Sequence, residues 1–205
     1  MAADLVFYTH PMSRGRIVRW MLEETGATYK TEILDYATNM KTAPYRTINP
    51  MGKVPAIVHN GHIVTECAAI CAYLADVFPD AGLAPETDDR AEYYRWLFFA
   101  AGPLEHAVTN NTLGFAPSAE QGRMAGYGSY DLTVDVLAQA VAATPYITGK
   151  RFTAADVYLG SQVIWGLQFG SLPAREAFKD YAERLTARDA YRRATAMDDA
   201  LMPDT

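Results

Sequence analysis

Two candidate hydroxyl donors, Tyr8 and Ser13, lie in one short stretch near the start of the chain, YTHPMSRGR, where they precede the arginines Arg14 and Arg16. A hydroxyl hydrogen bond to a charged acceptor contributes about 1.5–3 kcal/mol, so either group could favour a bound anion. Ser13 also precedes a helical pattern, where a serine often acts only as the N-cap. The stretch contains no cysteine, so the nucleophile of Cys-x-x-Cys redox chemistry is missing from it.

A second stretch, NPMGKVPAI (49–57), places Pro55 at the beginning of a predicted strand. Proline has no N–H for a sheet ladder, so it is expected at the first residue of a strand, at an edge or at a bulge. Glu66 follows the next predicted strand and stands at the start of a helical pattern, TECAAICAYL. These polar residues must be positioned by the elements around them.

Strand and helix patterns alternate over the first eighty residues. We predict strands at 4–9 and 29–35, a helix at 13–26, a loop or short helix at 36–47, a hairpin of 54–59 with 62–65, and a helix at 66–78. Asn60-Gly61 indicates a tight hairpin turn, because both positions of a type I′ turn need positive φ. The order β-α-β-α-β-β-α begins with a strand-helix-strand crossover, which predicts a parallel pair.

The second half of the chain reads as helices. Residues 79–89 (PDAGLAPETDD) have linker composition, and the predicted helices after them are 89–115, 118–143, 153–169, 174–186 and 189–201. Thr153 and Asp156 have the spacing of a capping box at the start of a helix that is apolar almost all round. The predicted division is therefore an α/β domain at 1–79, a linker at 80–88 and an all-helical domain at 89–205.

Composition narrows the function classes. The 205 residues carry a net charge of −6, which argues against nucleic acid as the main partner but not against a small anionic ligand. No stretch approaches the length of a membrane span, and the N-terminus lacks a signal-peptide pattern. Cys67 and Cys71 lie one helical turn apart, which favours a reducing cytoplasm over a disulfide framework. The four histidines show no metal-ligand spacing, so we expect no metal.

Three motifs in register across the chain resemble those of the cytosolic glutathione S-transferases, most closely bacterial members of unsettled class. They are GKVPAI, TECAAICAYL and ITGKRFTAADVYLG. The resemblance covers essentially the whole chain. It implies a thioredoxin-like α/β domain followed by an all-α bundle, glutathione as co-substrate, a homodimer, and a role in detoxification.

The resemblance also implies how glutathione binds. A cis Val54-Pro55 bond would turn the Val54 backbone out of the sheet to pair with the tripeptide. Glu66 would bind the γ-glutamyl ammonium, the helix N-terminus behind it the α-carboxylate, and Lys53 the glycyl carboxylate. Cys67 replaces the usual serine and is a weaker donor. The alternatives are that Pro55 only ends a loop, Glu66 only caps a helix, and Lys53 is solvated.

The implied chemistry is attack of the glutathione thiolate on an electrophilic carbon. Lowering the thiol pKa by about two units requires about 2.7 kcal/mol. By analogy with serine-type members we expect Ser13 to donate to the sulfur. The alternatives are Tyr8, as in tyrosine-type members, and backbone N–H groups or Arg14.

The second domain is expected to supply a pocket for hydrophobic or aryl electrophiles. The candidate lining residues are Tyr94, Phe98, Gly102, His106, Phe115 and Trp165. Each of them could instead belong to the helix-bundle core, and His106 could be a base or only a surface residue. The predicted function is a glutathione transferase. The alternative is a non-catalytic interaction or regulatory module of the same fold, which would not need Val54, Pro55 and Glu66.

Overall fold

Four strands form one mixed sheet in the computed structural model, which describes residues 4–202. They are β1 (Leu5–Thr9), β2 (Lys30–Ile33), β3 (Ala56–His59) and β4 (His62–Thr65), in the order β2-β1-β3-β4. β1 and β2 are parallel, and β3 is antiparallel to both of its neighbours. The parallel pair and the hairpin are therefore both confirmed, and the turn residues Asn60 and Gly61 have φ of 51° and 80°.

Helices α1 (Gly15–Thr25), α2 (Ala43–Arg46) and α3 (Cys67–Val77) accompany this sheet. Gly26 follows the last residue of α1 with a φ of 66°, so the helix ends within one residue of the predicted boundary. The predicted N-cap at Ser13 is wrong by one residue, because α1 begins at Gly15 and its N-cap is Arg14. The core of this part of the chain consists of apolar side chains from β1, β3, α1 and α3, among them Leu5, Phe7, Ile17, Trp20, Met21, Ile57, Ile70 and Leu74.

The next helices are α4 (Ala91–Phe99), α5 (Glu105–Thr112), α6 (Tyr130–Ala143), α7 (Ala154–Phe169), α8 (Glu176–Thr186) and α9 (Asp189–Asp199). A π-helical segment, Ala100–Leu104, joins α4 to α5. It contains Pro103, whose missing N–H interrupts α-helical hydrogen bonding. The single helix expected over 89–115 is therefore two α-helices with a π segment between them.

The helix expected over 118–143 begins twelve residues later than predicted, at Tyr130. The sequence QGRMAGYGS before it holds three glycines, and Gly128 has a φ of 70°, which a helix does not allow. Ser129 then caps α6, its Oγ accepting from Leu132 N–H at 3.2 Å. Ser129, and not Ser118, is the start signal of this helix.

The predicted capping box at the start of α7 is confirmed: Thr153 N–H donates to Asp156 Oδ2 at 2.9 Å. Asp156 is fully buried. Its Oδ1 accepts from Ile147 N–H at 2.7 Å and from the Tyr181 hydroxyl at 2.8 Å. Burial raises the pKa of this carboxyl group, and these hydrogen bonds act in the opposite direction. The box is thus the centre of a buried polar network that joins α7 to α8.

The described residues divide by contacts into two units, one ending at Leu83 and resuming at Arg188, the other spanning Ala84–Ala187. The sequence prediction placed 189–201 in the helical domain, whereas here α9 groups with the sheet because it packs on α1. The α/β domain followed by helices is the fold class predicted. No helix among residues 4–202 is both long enough and apolar enough to cross a membrane.

Candidate functional site

The backbone before β3 has hydrogen-bonding groups available to a ligand. The Val54-Pro55 peptide bond is cis, as predicted. The Lys53 carbonyl accepts from the Tyr45 hydroxyl at 2.6 Å and from Asn49 Nδ2 at 2.8 Å, which fixes the segment from one side. Within residues 4–202, the N–H and C=O of Val54 have no hydrogen-bond partner. An extended peptide could pair with these two groups.

Glu66 is the N-cap of α3 and has a φ of 66° with a ψ of 118°. A non-glycine residue with positive φ is strained by about 1–3 kcal/mol, and such residues cluster at ligand sites. Its side chain is exposed and has no partner among the described residues. No side chain caps the first turn of α3, so the N–H groups of Ala68 and Ala69 can bind an anion.

Cys67 follows Glu66, but its thiol faces away from solvent. The residue is buried, and Sγ lies 3.7 Å from the carbonyl oxygen of Arg14, to which it donates. Cys71 is fully buried, and burial raises the pKa of its thiol well above the usual value. Both thiols are free of disulfides. The Cys67 side chain therefore links the start of α3 to the start of α1, and it offers the ligand only its backbone.

Ser13 lies half-buried in the loop between β1 and α1. Its hydroxyl donates to the His10 carbonyl at 2.7 Å and accepts from Gly15 N–H at 2.9 Å. The Ser13 backbone N–H has no partner among residues 4–202. The hydroxyl would have to leave His10 to donate to a ligand, whereas the N–H is already available. Arg14 is exposed at the start of α1.

Tyr8 is opposite Ala56 in the β1–β3 pairing, one residue after Pro55. Its ring lies 5.6 Å from the Tyr45 ring, and it packs with Val54 against the same buried cluster. Burial raises the pKa of its hydroxyl, so the group is a neutral donor near neutral pH. This hydroxyl has no hydrogen-bond partner among the described residues. Tyr8 thus shares a cluster with the open backbone of Val54.

Three cationic side chains surround the loop at Gly52. The Lys53 side chain is exposed and has no partner within residues 4–202. The Lys41 ammonium donates to the Gly52 carbonyl, and the Arg46 side chain also lies beside Gly52. Lys41 and Arg46 are not among the candidate site residues predicted from sequence. Both lie in the segment 36–47, which was predicted as a loop or short helix. Their positive charge was a possible signal, but no sequence pattern indicates that this segment folds against Gly52.

The predicted pocket residues of the second unit are exposed or half-buried, and none of them is fully buried in its core. Tyr94, Phe98 and Phe115 are 43%, 71% and 50% exposed, and Trp165 on α7 is half-buried. His106 Nδ1 lies 2.8 Å from the Gly102 carbonyl oxygen, so Nδ1 is the donor of this hydrogen bond. The π segment lies between Phe98 and His106, which interrupts the regular four-residue spacing.

Comparison with known proteins identifies the family. Residues 12–77 match the model of the glutathione S-transferase N-terminal domain. Glutathione S-transferase GstA of Escherichia coli O157:H7 is 30% identical over 154 residues, which cover 71% of this chain and 76% of that protein. The chain belongs to the glutathione S-transferase family. The solved structure of a sphingomonad glutathione S-transferase complexed with glutathione is 29% identical with a TM-score of 0.77, covering 95% of this chain and 98% of that one.

A second solved structure agrees with this result. The glutathione transferase of Methylococcus capsulatus is 26% identical with a TM-score of 0.77, covering 96% of this chain and 99% of that one. The comparisons favour a transferase over the non-catalytic module of the same fold. Within residues 4–202 of this transferase, no three His, Cys, Asp or Glu side chains form a group that could hold a metal ion.

Gly15, where α1 begins in this transferase, allows close packing against β1. A Cβ atom there would lie 1.8 Å from Thr9 Oγ1 and 2.9 Å from Ser13 Oγ. We expect Gly15→Ala to destabilise the protein by about 1–3 kcal/mol through overpacking. Thermal denaturation measures this, with Gly126→Ala as the control because a Cβ at Gly126 meets nothing within 4 Å. Thr9→Ala should recover part of the loss, and a neutral Gly15→Ala would contradict the packing.

Proposed function

We propose that this glutathione transferase binds the tripeptide along Val54 and catalyses attack of its thiolate on hydrophobic electrophiles. The observation that carries the proposal is the unpartnered Val54 backbone at the cis-proline segment, beside the strained N-cap Glu66. In this arrangement the cysteinyl residue pairs with Val54 as an added strand does. Calorimetric titration with glutathione tests it directly, and no measurable binding would overturn it.

The charged ends of glutathione have partners on either side of Val54. Glu66 takes the γ-glutamyl ammonium, and the N–H groups at the start of α3 take the neighbouring α-carboxylate, where the helix carries roughly half a positive charge. Lys53 takes the glycyl carboxylate, with Lys41 close to the same loop. Cys67 contributes its backbone only, since its thiol is buried against Arg14.

The thiolate is stabilised by Ser13 in this proposal. If its hydroxyl donates to the sulfur, Ser13→Ala should raise the pKa of the bound thiol by about one to two units, equivalent to about 1.4–2.7 kcal/mol. Glutathione affinity should change much less, because other residues hold the end groups. Ultraviolet titration of the bound thiolate measures the shift, on protein shown to be folded.

Tyr8→Phe is the paired variant, because it keeps the ring on Tyr45 and deletes only the unpartnered hydroxyl. A shift in Tyr8→Phe without one in Ser13→Ala would reassign the donor to Tyr8. If neither variant shifts the thiol pKa, the backbone N–H of Ser13, or Arg14, is the donor. The three outcomes are distinct: the first two each select one hydroxyl, and the third excludes both hydroxyls.

The electrophile is a hydrophobic or aryl compound held by the aromatic side chains of the second unit. Exposure of Tyr94, Phe98 and Phe115 supports this choice, since a ligand can reach them. Gly102, His106 and Trp165 complete the proposed pocket, with His106 Nε2 as its proton acceptor. Activity against a panel of aryl halides and hydroperoxides, with Phe98→Ala as the variant, tests it.

The proposal includes a cytoplasmic homodimer that acts in detoxification, with glutathione as the co-substrate and no metal. Sedimentation equilibrium tests the dimer. Metal removal by a chelator should leave turnover unchanged.

A further inference from the structure

Helix α9 and its N-cap residue, Arg188, form four ion pairs with α1, and the order of these pairs shows that the two helices are antiparallel. From the end of α1 to its start the pairs are Glu24–Arg188 at 2.6 Å, Glu23–Arg193 at 3.0 Å, Arg19–Asp198 at 2.7 Å and Arg16–Asp199 at 2.8 Å. Arg19 and Asp198 are both buried. The Arg16–Asp199 pair lies at the start of α1, directly after the loop that contains Ser13.

Arg16 makes a second contact that reaches into this loop. Its Nε donates to the Pro11 carbonyl at 2.6 Å while Nη1 pairs with Asp199. A guanidinium group is planar and rigid, so the carboxylate that binds one nitrogen also sets the direction of the others. Asp199 therefore orients the hydrogen bond from Arg16 to Pro11.

The loop of residues 10–14 has every one of its five carbonyl groups engaged as an acceptor. The donors, in order, are the Ser13 hydroxyl, Arg16 Nε, the Tyr36 hydroxyl at 3.0 Å, Arg16 N–H, and Ile17 N–H with the Cys67 thiol. A thiolate needs donors and is repelled by carbonyl oxygens. With the carbonyls held in this way, the Ser13 N–H is available to an anion, and the Ser13 hydroxyl becomes available only when it releases the His10 carbonyl.

We propose that Arg16, held by Asp199, is a positioning residue for the thiolate step. It keeps the Pro11 carbonyl away from the sulfur and prevents it from competing for the donors of Ser13. Helix α9, near the C-terminus, thus sets the geometry of the catalytic loop. This inference rests on the proposed function, with the sulfur bound at loop 10–14.

Several titratable or charged side chains lie in or near the loop, and each could affect the measured pKa of the bound thiol. They are His10, Arg14, Arg16, Tyr36, Cys67, Tyr191 and Asp199. Only Arg16 and Asp199 are altered in the test, so a shift between variants reports on that pair.

The experiment compares Asp199→Asn and Arg16→Lys with the wild-type protein by ultraviolet titration of bound glutathione. Both variants should raise the apparent pKa of the bound thiol by about half to one unit, so the ratio of thiolate to thiol at a given pH falls about three- to ten-fold. The acidic limb of kcat/KM with chlorodinitrobenzene should move equally, while the KM for glutathione changes less than two-fold. Arg16→Lys keeps the charge opposite Asp199 but lacks the second nitrogen for Pro11.

Arg193→Gln is the matched control, because it breaks another α1–α9 ion pair that has no contact with the loop. It should lower Tm by a similar amount and leave the thiol pKa unchanged. Equal pKa values in the wild type, Asp199→Asn and Arg16→Lys would overturn this inference alone. A pKa shift in Arg193→Gln as large as in the other two would also overturn it, since α9 would then act only through stability. A wild-type protein without any thiolate signal would overturn the proposed function together with it.

Discussion

Replacing Asp156 with alanine is expected to lower the free energy of unfolding by about 3 kcal/mol or more. The carboxylate is fully buried and accepts hydrogen bonds from Ile147 N–H, Thr153 N–H and the Tyr181 hydroxyl. Alanine leaves these three donors buried without a partner, at about 1–3 kcal/mol each. Alanine also removes the desolvation penalty of the buried carboxylate, which offsets part of this loss of stability. Urea denaturation gives the difference in free energy.

Two further variants separate the network from the simple loss of a helix cap. Thr153→Ala should cost about 1 kcal/mol, up to about 2, as an N-cap replacement does. Tyr181→Phe removes only one of the bonds to Asp156 and should also cost less than Asp156→Ala. Asp131→Ala, in the exposed first turn of α6, should stay within about 0.5 kcal/mol of the wild type. If Asp156→Ala behaves like Asp131→Ala, the buried network contributes little to folding.

The features that sequence alone predicted correctly have short-range causes. Asn60-Gly61 specifies a turn within two residues, and Thr153 and Asp156 specify a helix start within four. Gly26 ends α1 for a similarly local reason. The Val54-Pro55 element was found because its neighbours resemble a known motif, and the cis bond is present.

The features that sequence missed depend on neighbours distant in the chain or on competing local signals. The helix predicted over 118–143 begins only at Tyr130, because the glycines at 122, 126 and 128 disfavour a helix before that residue. Helix α9 has helical periodicity, but only its ion pairs with α1 show that it groups with the sheet. No pattern near Arg16 predicts a carbonyl acceptor at Pro11 together with a carboxylate at Asp199, 183 residues further on in the sequence.

Among the candidate site residues, sequence predicted identities better than hydrogen-bonding states. Ser13 was recognised as a hydroxyl near the start of α1, but its donation to His10 needs the folded loop. Tyr8 was recognised as an alternative hydroxyl donor, whereas its position opposite Ala56 depends on the sheet register. Side-chain direction at Cys67 likewise follows from how α1 and α3 pack.

The largest effect on ligand binding is expected from Glu66→Gln. If the carboxylate binds the γ-glutamyl ammonium, its replacement should weaken glutathione binding by about 1.5–3 kcal/mol. This corresponds to a roughly 10- to 150-fold increase in Kd. The exposed and unpartnered side chain, on a residue with a φ of 66°, is the basis of the prediction. Calorimetric titration at low ionic strength measures it, since salt screens an exposed charge pair.

A control variant and a control ligand make this test specific. Asp80→Asn removes one exposed carboxylate beyond the opposite end of α3, so it tests the effect of net charge alone and should leave Kd unchanged. Glutathione without its α-amino group should bind wild type more weakly, and Glu66→Gln should then add no further loss, because the two changes remove the same interaction. Additive losses would mean that the ammonium lies elsewhere and that Glu66 acts through the start of α3. An unchanged Kd for Glu66→Gln with intact glutathione would show that the Glu66 carboxylate does not bind the ligand.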